Sequence, residues 1–461
     1  MTTAIPDRVH FVGVGGSGLS ALARVTLGLG RTVTGSDRVR GEVVGDLEAI
    51  GLTFQAGHEA ELVRGAQMVV ATSAIREDVP EMTWAREHGV PVCKRHQYLP
   101  LLASGKRMLA VAGTHGKTTT SAMLAVMLDG LGLSPTFIVG GMIPQLGANA
   151  RAGVGPHFVI EADEYDRTFH GLRPEIAVVT NVEMDHPDYY RDLDAIREAF
   201  ARFLKRVPPE GVIIACGDSA ELARLLVEEP PRARVVTYGQ GAGVGYRVER
   251  VEPAPGGGVA FEVVHAGAIW GRFSLAVPGA HNALNATAAL LVAEYIGVAP
   301  GEVGGVLAGF HGALRRFEIK GERAGVTVID DYAHHPTEIR ATLAAARGRY
   351  DGRRIWAVWE PHTYSRIEAL LTEFGTSFGD ADRVIVTDVY AARSRERATI
   401  TPERIVASIE HANALHIGGS ARIVSYLLEH LERGDVLLTL GAGDGYRVGE
   451  DVLAGLAREG T

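Results

Sequence analysis

The strongest constraint on the fold is a repeated pattern in which a short apolar run is followed by a glycine-rich loop and then by a helical run. In the first copy the apolar run covers 10–14 and the helical run covers 19–29. In the second copy the corresponding runs cover 108–112 and about 119–131. Short apolar strands that alternate with helices are typical of parallel sheets covered by helices. The pattern therefore predicts the α/β class, with doubly wound modules.

The length of the chain and the positions of its loops predict three such modules. The chain has 461 residues, and a domain typically takes about 150 residues. The second pattern starts just after Ser104 and Gly105, and a third strand at 326–329 follows a loop at 309–315. We therefore predict modules at 1–105, 106–312 and 313–461. Within the middle module, the segment 253–258 predicts a loop or a hairpin tip, and 194–207 predicts an amphipathic helix with its aromatic residues in the core.

Charge and cysteine content exclude several classes of protein. Lys and Arg number 46 against 55 Asp and Glu, which gives a net charge of −9 and disfavours a nucleic-acid partner. The two cysteines, Cys93 and Cys216, are too far apart in sequence to indicate a disulfide framework or a zinc site, so we expect reduced core thiols. The N-terminus lacks a signal-peptide pattern, and no run of about 18 apolar residues occurs. We expect a soluble cytoplasmic protein with no membrane partner.

The first glycine-rich loop has the spacing of a nucleotide-binding loop. Gly13, Gly15 and Gly18 form G-x-G-x-x-G between a strand and a helix, where backbone N–H groups can approach a diphosphate. Asp37 follows at the end of the next predicted strand, the usual place for a ribose-binding acid. The motif favours a nucleotide diphosphate over a structural turn. On this fragment alone the nucleotide is open, with NAD as the default.

The second glycine-rich loop, 113–120, reads GTHGKTTT. Val111 stands where a full-length Walker A motif has glycine, so the loop has the shorter form of that motif. Its backbone N–H groups can hold phosphate oxygens, Lys117 can reach the terminal phosphates, and the Thr118 hydroxyl can bind magnesium. The loop predicts binding of ATP or GTP.

Acidic residues follow the next two strands of this module. Glu161, Asp163, Glu164 and Asp166 lie within six residues, and such carboxylates repel one another unless water or cations share their charge. Of the two, the more specific interpretation is a divalent metal beside the phosphate loop. His186 lies among acids after the strand at 176–179, which favours a catalytic or metal-binding role over a surface one.

The two loops together restrict the reaction. A dehydrogenase does not need the second loop, and a simple nucleotide hydrolase does not need the first. An ATP-driven enzyme whose other substrate carries a nucleotide accounts for both.

Seven ordered segments over essentially the whole chain resemble the Mur ligase family. They are GVGGSGLS at 13–20, GTHGKTT at 113–119, EADEYD at 161–166, TNVEMDH at 180–186, HNALN at 281–285, RRF at 315–317 and DDYAHHPT at 330–337. The resemblance implies an N-terminal Rossmann-like UDP-binding domain, a central P-loop ATPase domain and a C-terminal Rossmann-like domain. It implies a ligase of peptidoglycan precursor synthesis that uses ATP and Mg²⁺ (or Mn²⁺) to join L-alanine to the carboxylate of UDP-N-acetylmuramate through an acyl phosphate. We expect a monomer or a weak homodimer.

The resemblance also implies roles for individual residues. For the UDP-sugar they are Gly15, Gly16, Ser17, Gly18, Ser36, Asp37, Ser73 and Ala74, with Ile75 beside them. For ATP they are Gly113, Thr114, His115, Gly116, Lys117, Thr118, Thr119, Asn282, Asn285, Arg316 and Asp331. Tyr332, His362 and Arg366 would bind the amino acid, with Arg366 on its carboxylate. Thr118, Glu161 and His186 would bind the metal, and Lys117, His186 and Arg316 would be catalytic.

Some alternatives remain open on the sequence. Tyr165 and Thr363 stand where alanine ligases more often have Ser and Arg, so a ligase that adds a preformed peptide is the nearest rival. A NAD-dependent oxidoreductase and a non-catalytic nucleotide sensor are rivals from other classes. Either Arg315 or Arg316 could face the ATP. We interpret His335 as a helix start, since Pro336 and Glu338 follow it.

Overall fold

The computed structural model describes residues 4–72, 75–76, 78–391 and 400–459, without the side chains of 166, 167 and 459. These residues form two compact units. The first comprises Met1–Val182, Arg197–Tyr238 and Ala288–Val306, and the second comprises Glu183–Ile196, Gly239–Thr287 and Leu307–Thr461. None of the described helices is long and apolar enough to cross a membrane.

The first sheet, within the first unit, is parallel in the order β3-β2-β1-β4-β5. Its strands are β1 (Arg8–Val12), β2 (Thr32–Asp37), β3 (Thr53–Ala56), β4 (Met68–Ala71) and β5 (Val92–Lys94), and its helices are α1 (Ser17–Gly28), α2 (Glu42–Ala49), α3 (Pro80–Glu87) and α4 (Arg95–Leu102). Strand β1 ends two residues before the predicted end. The reason is Gly13, whose φ of +86° is incompatible with extended strand geometry.

The second sheet of the first unit has the order β12-β11-β10-β6-β9-β7-β8, and all of its pairs are parallel except β7 with β8. Its strands are β6 (Arg107–Ala112), β7 (Thr136–Ile143), β8 (Ala148–Arg151), β9 (His157–Glu161), β10 (Ile176–Val179), β11 (Val212–Cys216) and β12 (Arg234–Gly239). The helices along this stretch are α5 (Lys117–Gly130), α6 (Leu193–Leu204) and α7 (Ala220–Glu228). The prediction of a second strand, loop and helix is confirmed.

Helix α6 confirms the predicted amphipathic helix and the role of its aromatic residues. Phe200 and Phe203 are fully buried, and their rings lie 5.3 and 4.8 Å from that of Phe169. The helix ends three residues earlier than predicted. Its last turn tightens because the N–H of Val207 bonds to the carbonyl of Leu204, three residues back.

The second unit contains an antiparallel meander and a third sheet. The meander strands are β13 (Tyr246–Ala254), β14 (Gly258–His265) and β15 (Ala268–Leu275). The predicted hairpin tip is confirmed between β13 and β14, where Gly256 and Gly257 both have a φ of +85°. The meander itself was not predicted, because its strands are not followed by the glycine-rich loops and helical runs that marked the other strands.

The third sheet has the order β16-β17-β21-β18-β19-β20, with only the edge pair β16 and β17 antiparallel. Its strands are β16 (Glu318–Arg323), β17 (Val326–Asp331), β18 (Ile355–Trp359), β19 (Arg383–Val386), β20 (Ala414–His416) and β21 (Val436–Leu440). The remaining helices of the described chain are α8 (Ala280–Tyr295), α9 (Pro300–Ala308), α10 (Pro336–Arg349), α11 (Tyr364–Ala369), α12 (Leu371–Gly375), α13 (Pro402–Ser408), α14 (Ser420–His430) and α15 (Tyr446–Glu459).

Side chains of β18 explain why this third sheet is covered on both faces. Ile355, Ala357 and Trp359 belong to one hydrophobic core cluster, whereas Trp356 and Val358 belong to another. Successive side chains of a strand point to opposite faces, so an uninterrupted apolar strand requires a core on each side. The predicted α/β class with three sheet-containing modules is therefore confirmed. The boundaries after 105 and after 312 stay predictions.

The two cysteines are free thiols. Burial raises the pKa of Cys216 to about 11 and that of Cys93 to about 12. Cys216 is buried as expected, whereas Cys93 is only partly buried. Both thiols are thus poor nucleophiles near neutral pH.

A buried histidine in the first sheet should make the stability of the protein depend on pH. His10 lies on β1 with no exposed surface, and its Nδ1 is 2.8 Å from Oγ1 of Thr34 on β2. Burial, with a smaller contribution from the charge of His58, lowers the pKa of His10 to about 4 from 6.5. His10 is therefore neutral in the folded protein at pH 5, whereas in the unfolded chain it is protonated.

We expect the free energy of unfolding to fall between pH 7 and pH 5 by about 2 kcal/mol more in the wild type than in His10→Gln. The stabilising effect is present above pH 6.5 and is lost as the pH falls towards 4, because only the unfolded state takes up the proton in that window. Urea unfolding of the full chain at both pH values measures the difference. His88→Gln, at an exposed histidine, is the control. An equal loss in the wild type and His10→Gln would contradict the assignment.

Candidate active site

The first glycine-rich loop and Asp37 are in contact, as the sequence predicted. The backbone N–H of Gly15 donates to Oδ2 of Asp37 at 2.9 Å. The N–H groups of Gly13 and Val14 donate to the carbonyl of Ser36 at 2.8 and 3.1 Å. The helix α1 begins at Ser17, with Gly16 as its N-cap, so the predicted UDP-sugar residues 15–18, 36 and 37 lie around one loop and one helix N-terminus.

A buried acid that sequence reasoning missed supports this loop. Oγ of Ser36 donates to Oε1 of Glu81 at 2.6 Å, and Nδ1 of His58 lies 3.1 Å from the same oxygen. Glu81 has no exposed surface. An acid just after Pro80 at a helix start is ordinary in sequence, so no local signal distinguished Glu81. The predicted residues Ser73 and Ala74 lie outside the described residues.

The second glycine-rich loop connects β6 to α5 in a shape that requires glycine. Gly113 has a φ of +134°, and a Cβ there would collide with the hydroxyl of Thr180. Gly116, the N-cap of α5, has a φ of +80°. Lys117, Thr118 and Thr119 then form the first turn of α5, where backbone N–H groups without helical partners favour anions. The geometry is that of a phosphate-binding loop.

Lys117 is held inside this loop by oxygen atoms of three residues. Its Nζ donates to the carbonyls of Gly113 and Thr114 at 2.6 and 3.0 Å. It also forms an ion pair with Glu164 at 2.9 Å. Burial alone would lower the pKa of Lys117, but the nearby carboxylates, Glu164 first, raise it above its usual value. Lys117 is therefore a cation. It neutralises part of the negative charge of the acidic run that the sequence assigned to a metal.

Glu161 lies beside Thr118, and the pair offers oxygen atoms suited to a hard cation. Oγ1 of Thr118 donates to Oε1 of Glu161 at 3.1 Å, and the N–H of Gly140 donates to Oε2 at 2.6 Å. The N–H of His115 donates to Oδ1 of Asn181 at 2.8 Å, which fixes the middle of the phosphate loop. Carboxylate and hydroxyl oxygens are the ligands that Mg²⁺ prefers, so Thr118 and Glu161 fit the metal predicted for them.

In the second unit, the structure distinguishes the two adjacent arginines. Arg315 donates through Nε to Asp330 at 3.0 Å and through Nη2 to the carbonyl of Gly441 at 2.8 Å. The guanidinium groups of both arginines lie 5.1 Å from the ring centre of Tyr332, and Nη1 of Arg316 lies 3.7 Å from Oε1 of Glu338. Arg315 therefore connects strands of the third sheet, which favours Arg316 for the predicted role at ATP.

Asp331 performs a structural task at the end of β17. Its two carboxylate oxygens each accept a backbone N–H at 2.8 Å, from Phe317 and from Ala333. Burial raises its pKa to about 6, although Arg316 opposes that shift. These two bonds hold the turn that follows β17. The predicted role of Asp331 in ATP binding stays a prediction.

Three further residues with predicted roles lie at or near helix starts. His335 is the N-cap of α10, and its Nδ1 accepts the N–H of Thr337 at 3.2 Å, as predicted from Pro336. Asn282 and Asn285 are buried in the first turns of α8. The amide of Asn282 donates to the carbonyl of Pro278 at 2.7 Å and accepts from Asn285 at 3.3 Å. The adenine contact predicted for both asparagines stays a prediction.

Two of the residues predicted to bind the amino acid, Arg366 and His362, lie at a buried ion pair. Nε of Arg366 donates to Oδ1 of Asp185 at 2.8 Å, and both side chains are almost fully buried. Nη1 of Arg366 lies 3.0 Å from Nδ1 of His362. Burial, with a smaller contribution from the charge of Arg366, lowers the pKa of His362 to about 4. Burial would raise the pKa of Asp185, but Arg366 outweighs it and holds that pKa well below its usual value.

His186 lies next to this pair. Its Nε2 is 3.6 Å from Oδ2 of Asp185, and about a quarter of its side chain is exposed. Its φ is +52°, a conformation that non-glycine residues rarely adopt outside turns and functional sites. The sequence pointed to His186 but did not predict that its neighbour Asp185 would bind Arg366. Asp185 carried no separate signal, because its partner lies 181 residues away.

Three family models match successive parts of the chain. The model described as "Mur ligase family, catalytic domain" matches residues 8–107, "Mur ligase middle domain" matches 111–293, and "Mur ligase, glutamate ligase domain" matches 315–443. Together these ranges cover most of the chain, and they include both glycine-rich loops and the third sheet.

The chain belongs to the Mur ligase family.

Several Mur ligases resemble it over nearly their whole length. A UDP-N-acetylmuramate–L-alanine ligase of Acidobacterium capsulatum is 44% identical over 438 residues, 95% of each chain. The ligase of the same name from Frankia casuarinae is 43% identical over 497 aligned positions, 99% of each chain. Among solved structures, a UDP-N-acetylmuramate–alanine ligase of Thermotoga maritima has a TM-score of 0.81 at 29% identity and covers 98% of this chain and 99% of its own. A murein peptide ligase of Psychrobacter arcticus has a TM-score of 0.71 at 25% identity, with the same coverage.

Proposed function

We propose that this Mur ligase joins L-alanine to the carboxylate of UDP-N-acetylmuramate at the expense of ATP, a step of peptidoglycan precursor synthesis. The observation that carries this proposal is the full-length likeness, at 43–44% identity, to ligases of that name. The phosphate loop at 113–119 supports it independently, because the backbone N–H groups and the lysine of such a loop can hold the phosphates of ATP.

The chemistry explains the need for ATP. A carboxylate is a poor electrophile, so its oxygen first attacks the γ-phosphorus of ATP, which gives an acyl phosphate and releases ADP. The amine of L-alanine then attacks the acyl carbon, and the resulting tetrahedral intermediate expels inorganic phosphate and loses a proton. An amine with a pKa of roughly 8 costs only about 1.4 kcal/mol to deprotonate at pH 7. A strong general base is therefore unnecessary.

The main barrier that the protein must lower is repulsion between anions. A carboxylate and a phosphate at about 4 Å repel by about 4 kcal/mol at an effective dielectric near 20. We assign Lys117 to the terminal phosphates and Thr118 with Glu161 to Mg²⁺, since positioning and charge stabilisation dominate phosphoryl transfer. When bound, Mg²⁺ would neutralise part of the phosphate charge. His186 is proposed as a further metal ligand rather than a base.

Residues of the second unit are assigned to the other ligands. We propose that Arg316, Asp331, Asn282 and Asn285 bind ATP, and that Tyr332, His362 and Arg366 bind L-alanine. The terminal nitrogens of Arg366 would meet the α-carboxylate, because its Nε is already bonded to Asp185. A guanidinium is well suited to a carboxylate.

The uridine diphosphate part of the substrate is assigned to residues 15–18, 36 and 37, with Ser73 and Ala74. Their support is the contact of the first glycine-rich loop with Asp37. The same loop would also suit NAD, but the likeness to ligases over the whole chain does not favour an oxidoreductase. Cytoplasmic location and a monomeric or weakly dimeric state are part of the proposal.

The decisive experiment is a substrate-dependence assay of the purified protein. We expect stoichiometric ADP, phosphate and a UDP-linked amide, detected by mass spectrometry, only when ATP, Mg²⁺, UDP-N-acetylmuramate and L-alanine are all present. Parallel reactions contain glycine, L-serine or the tripeptide of the related peptide ligase in place of L-alanine. Phosphate release without the UDP-sugar, or faster product formation with the tripeptide than with L-alanine, would refute the proposal.

A further inference from the structure

A cavity of the first unit lies away from both glycine-rich loops and carries an unusual concentration of positive charge. Its volume is about 470 Å³, and Lys106, Arg173 and Arg206 line it. Among the described residues that line it, none is acidic. This arrangement is notable in a protein whose net charge is −9. A volume of this size is within the range of small-molecule sites.

Two of these cations are fixed in place by backbone oxygens. Nζ of Lys106 donates to the carbonyls of Gly153 and Gly155 at 2.9 and 2.7 Å. Nε of Arg206 donates to the carbonyl of Leu172 at 2.7 Å. These bonds are to neutral groups, so the positive charges remain unpaired within the described part of the chain. The terminal nitrogens of Arg206 and the third proton of Lys106 are left for other partners.

Arg173 is the third cation, and it makes no hydrogen bond or ion pair within residues 4–72, 75–76, 78–391 and 400–459. Arg173 is exposed. The pKa of Arg206 is lowered first by the burial of Arg206 itself and then by the positive charge of Arg173. Burial likewise lowers the pKa of Lys106. The nearby acid Glu175 does not neutralise these cations, because it forms its ion pair with Arg107 at 2.6 Å. The three charges therefore repel one another until an anion joins them.

The other wall of the cavity is apolar. Pro100 lies in α4, Ala103 follows that helix, and Met108 lies on β6. Arg173 follows the short 3₁₀ turn Tyr165–Gly171, and Arg206 follows α6. A compact ligand with an anionic end and a small carbon body would thus contact a helix of the first sheet and elements of the second sheet at the same time.

We propose that this cavity is a binding site for a small organic anion of the phosphate-ester class, separate from the ATP and UDP-sugar sites. Guanidinium groups match the oxygen geometry of phosphate, and an ammonium group adds a third charge. The apolar wall would exclude water from one side of the ligand, which strengthens the charge interactions. Because the ligand would connect two sheets of the unit, its binding should also stabilise the folded state.

The test uses 3-phosphoglycerate as the probe, an organic phosphate with a second anionic group. The full-length protein is first saturated with UDP-N-acetylmuramate and the magnesium complex of a non-hydrolysable ATP analogue, so that both nucleotide sites are filled. Isothermal titration should then detect one site per chain, and the melting temperature should rise with probe concentration. Arg173→Gln and Arg206→Gln should each weaken binding by at least about tenfold.

Two controls keep the result specific. Arg224→Gln removes an arginine that does not line the cavity and is paired with Glu228 on the protein surface, and it should leave the dissociation constant within about twofold. Arg173 is exposed, so its variant should fold normally, as its unchanged circular dichroism and ligase rate would show. Absence of binding at 10 mM probe, or equal binding by all three variants and the wild type, would overturn the proposal. Failure of the ligase assay would not overturn the proposal of an anion site, because that site is measured by binding alone.

Discussion

Lys117→Ala is expected to reduce ligase turnover at least about 1,000-fold, because it removes a cation that stabilises the charge of phosphoryl transfer. The Nζ of Lys117 lies within the phosphate loop, 2.6 Å from the carbonyl of Gly113, and no backbone group can replace its positive charge. Affinity for UDP-N-acetylmuramate should change by less than about twofold, since the residues assigned to uridine follow β1 and β2. Steady-state phosphate release and titration with the UDP-sugar measure the two quantities separately.

The design must exclude a folding defect. Lys117→Ala leaves the carboxylate of Glu164 buried without its partner, which is destabilising. The double variant Lys117→Ala with Glu164→Gln removes that charge, and it should remain inactive although its stability recovers. Lys205→Ala, at an exposed lysine paired with Glu229, is the matched control and should retain full activity. Turnover in the double variant within tenfold of the wild type would show that Lys117 is not required for phosphoryl transfer.

Asp185→Ala is expected to lower the free energy of unfolding by about 3–5 kcal/mol, the usual effect of leaving one charge of a buried ion pair without its partner. Arg366 is 4% exposed and Asp185 is 5% exposed, so water cannot replace the lost carboxylate. Arg366→Met should be destabilising for the same reason. It should also raise the KM for L-alanine by about 100-fold or more, because it removes the group assigned to the α-carboxylate.

A double-mutant cycle separates the ion pair from other effects of these substitutions. The variant with both Asp185→Ala and Arg366→Met should lose less stability than the sum of the two single losses, by at least about 1 kcal/mol. Glu432→Gln is the control within the same unit, since Glu432 forms an exposed pair with Arg354, and it should cost less than about 1 kcal/mol. Urea unfolding of the full chain gives the energies. Additive losses would mean that Asp185 and Arg366 do not stabilise each other.

Several features of the protein were determined by short stretches of sequence. The strand, loop and helix around Lys117 follow from an apolar run, glycines with positive φ and a run of helix-compatible residues. The N-cap at His335 follows from the proline after it, and α6 follows from apolar residues at helical spacing. Each of these depends on backbone conformations and periodicity within about fifteen residues, which is the range over which a sequence pattern acts directly.

Other features were decided only by the tertiary structure. The pairing of Asp185 with Arg366 joins residues 181 positions apart, and that of Lys117 with Glu164 joins residues 47 apart. The bonds of Arg315 to Asp330 and Gly441 join residues 15 and 126 positions apart, and the basic cavity brings together three cations from separate segments. Such contacts depend on how strands are ordered in a sheet and how helices pack on it, and a pattern of neighbouring residues carries no information about either. The sequence thus determined the module types and the phosphate loop, while the packing of distant segments decided which charges meet.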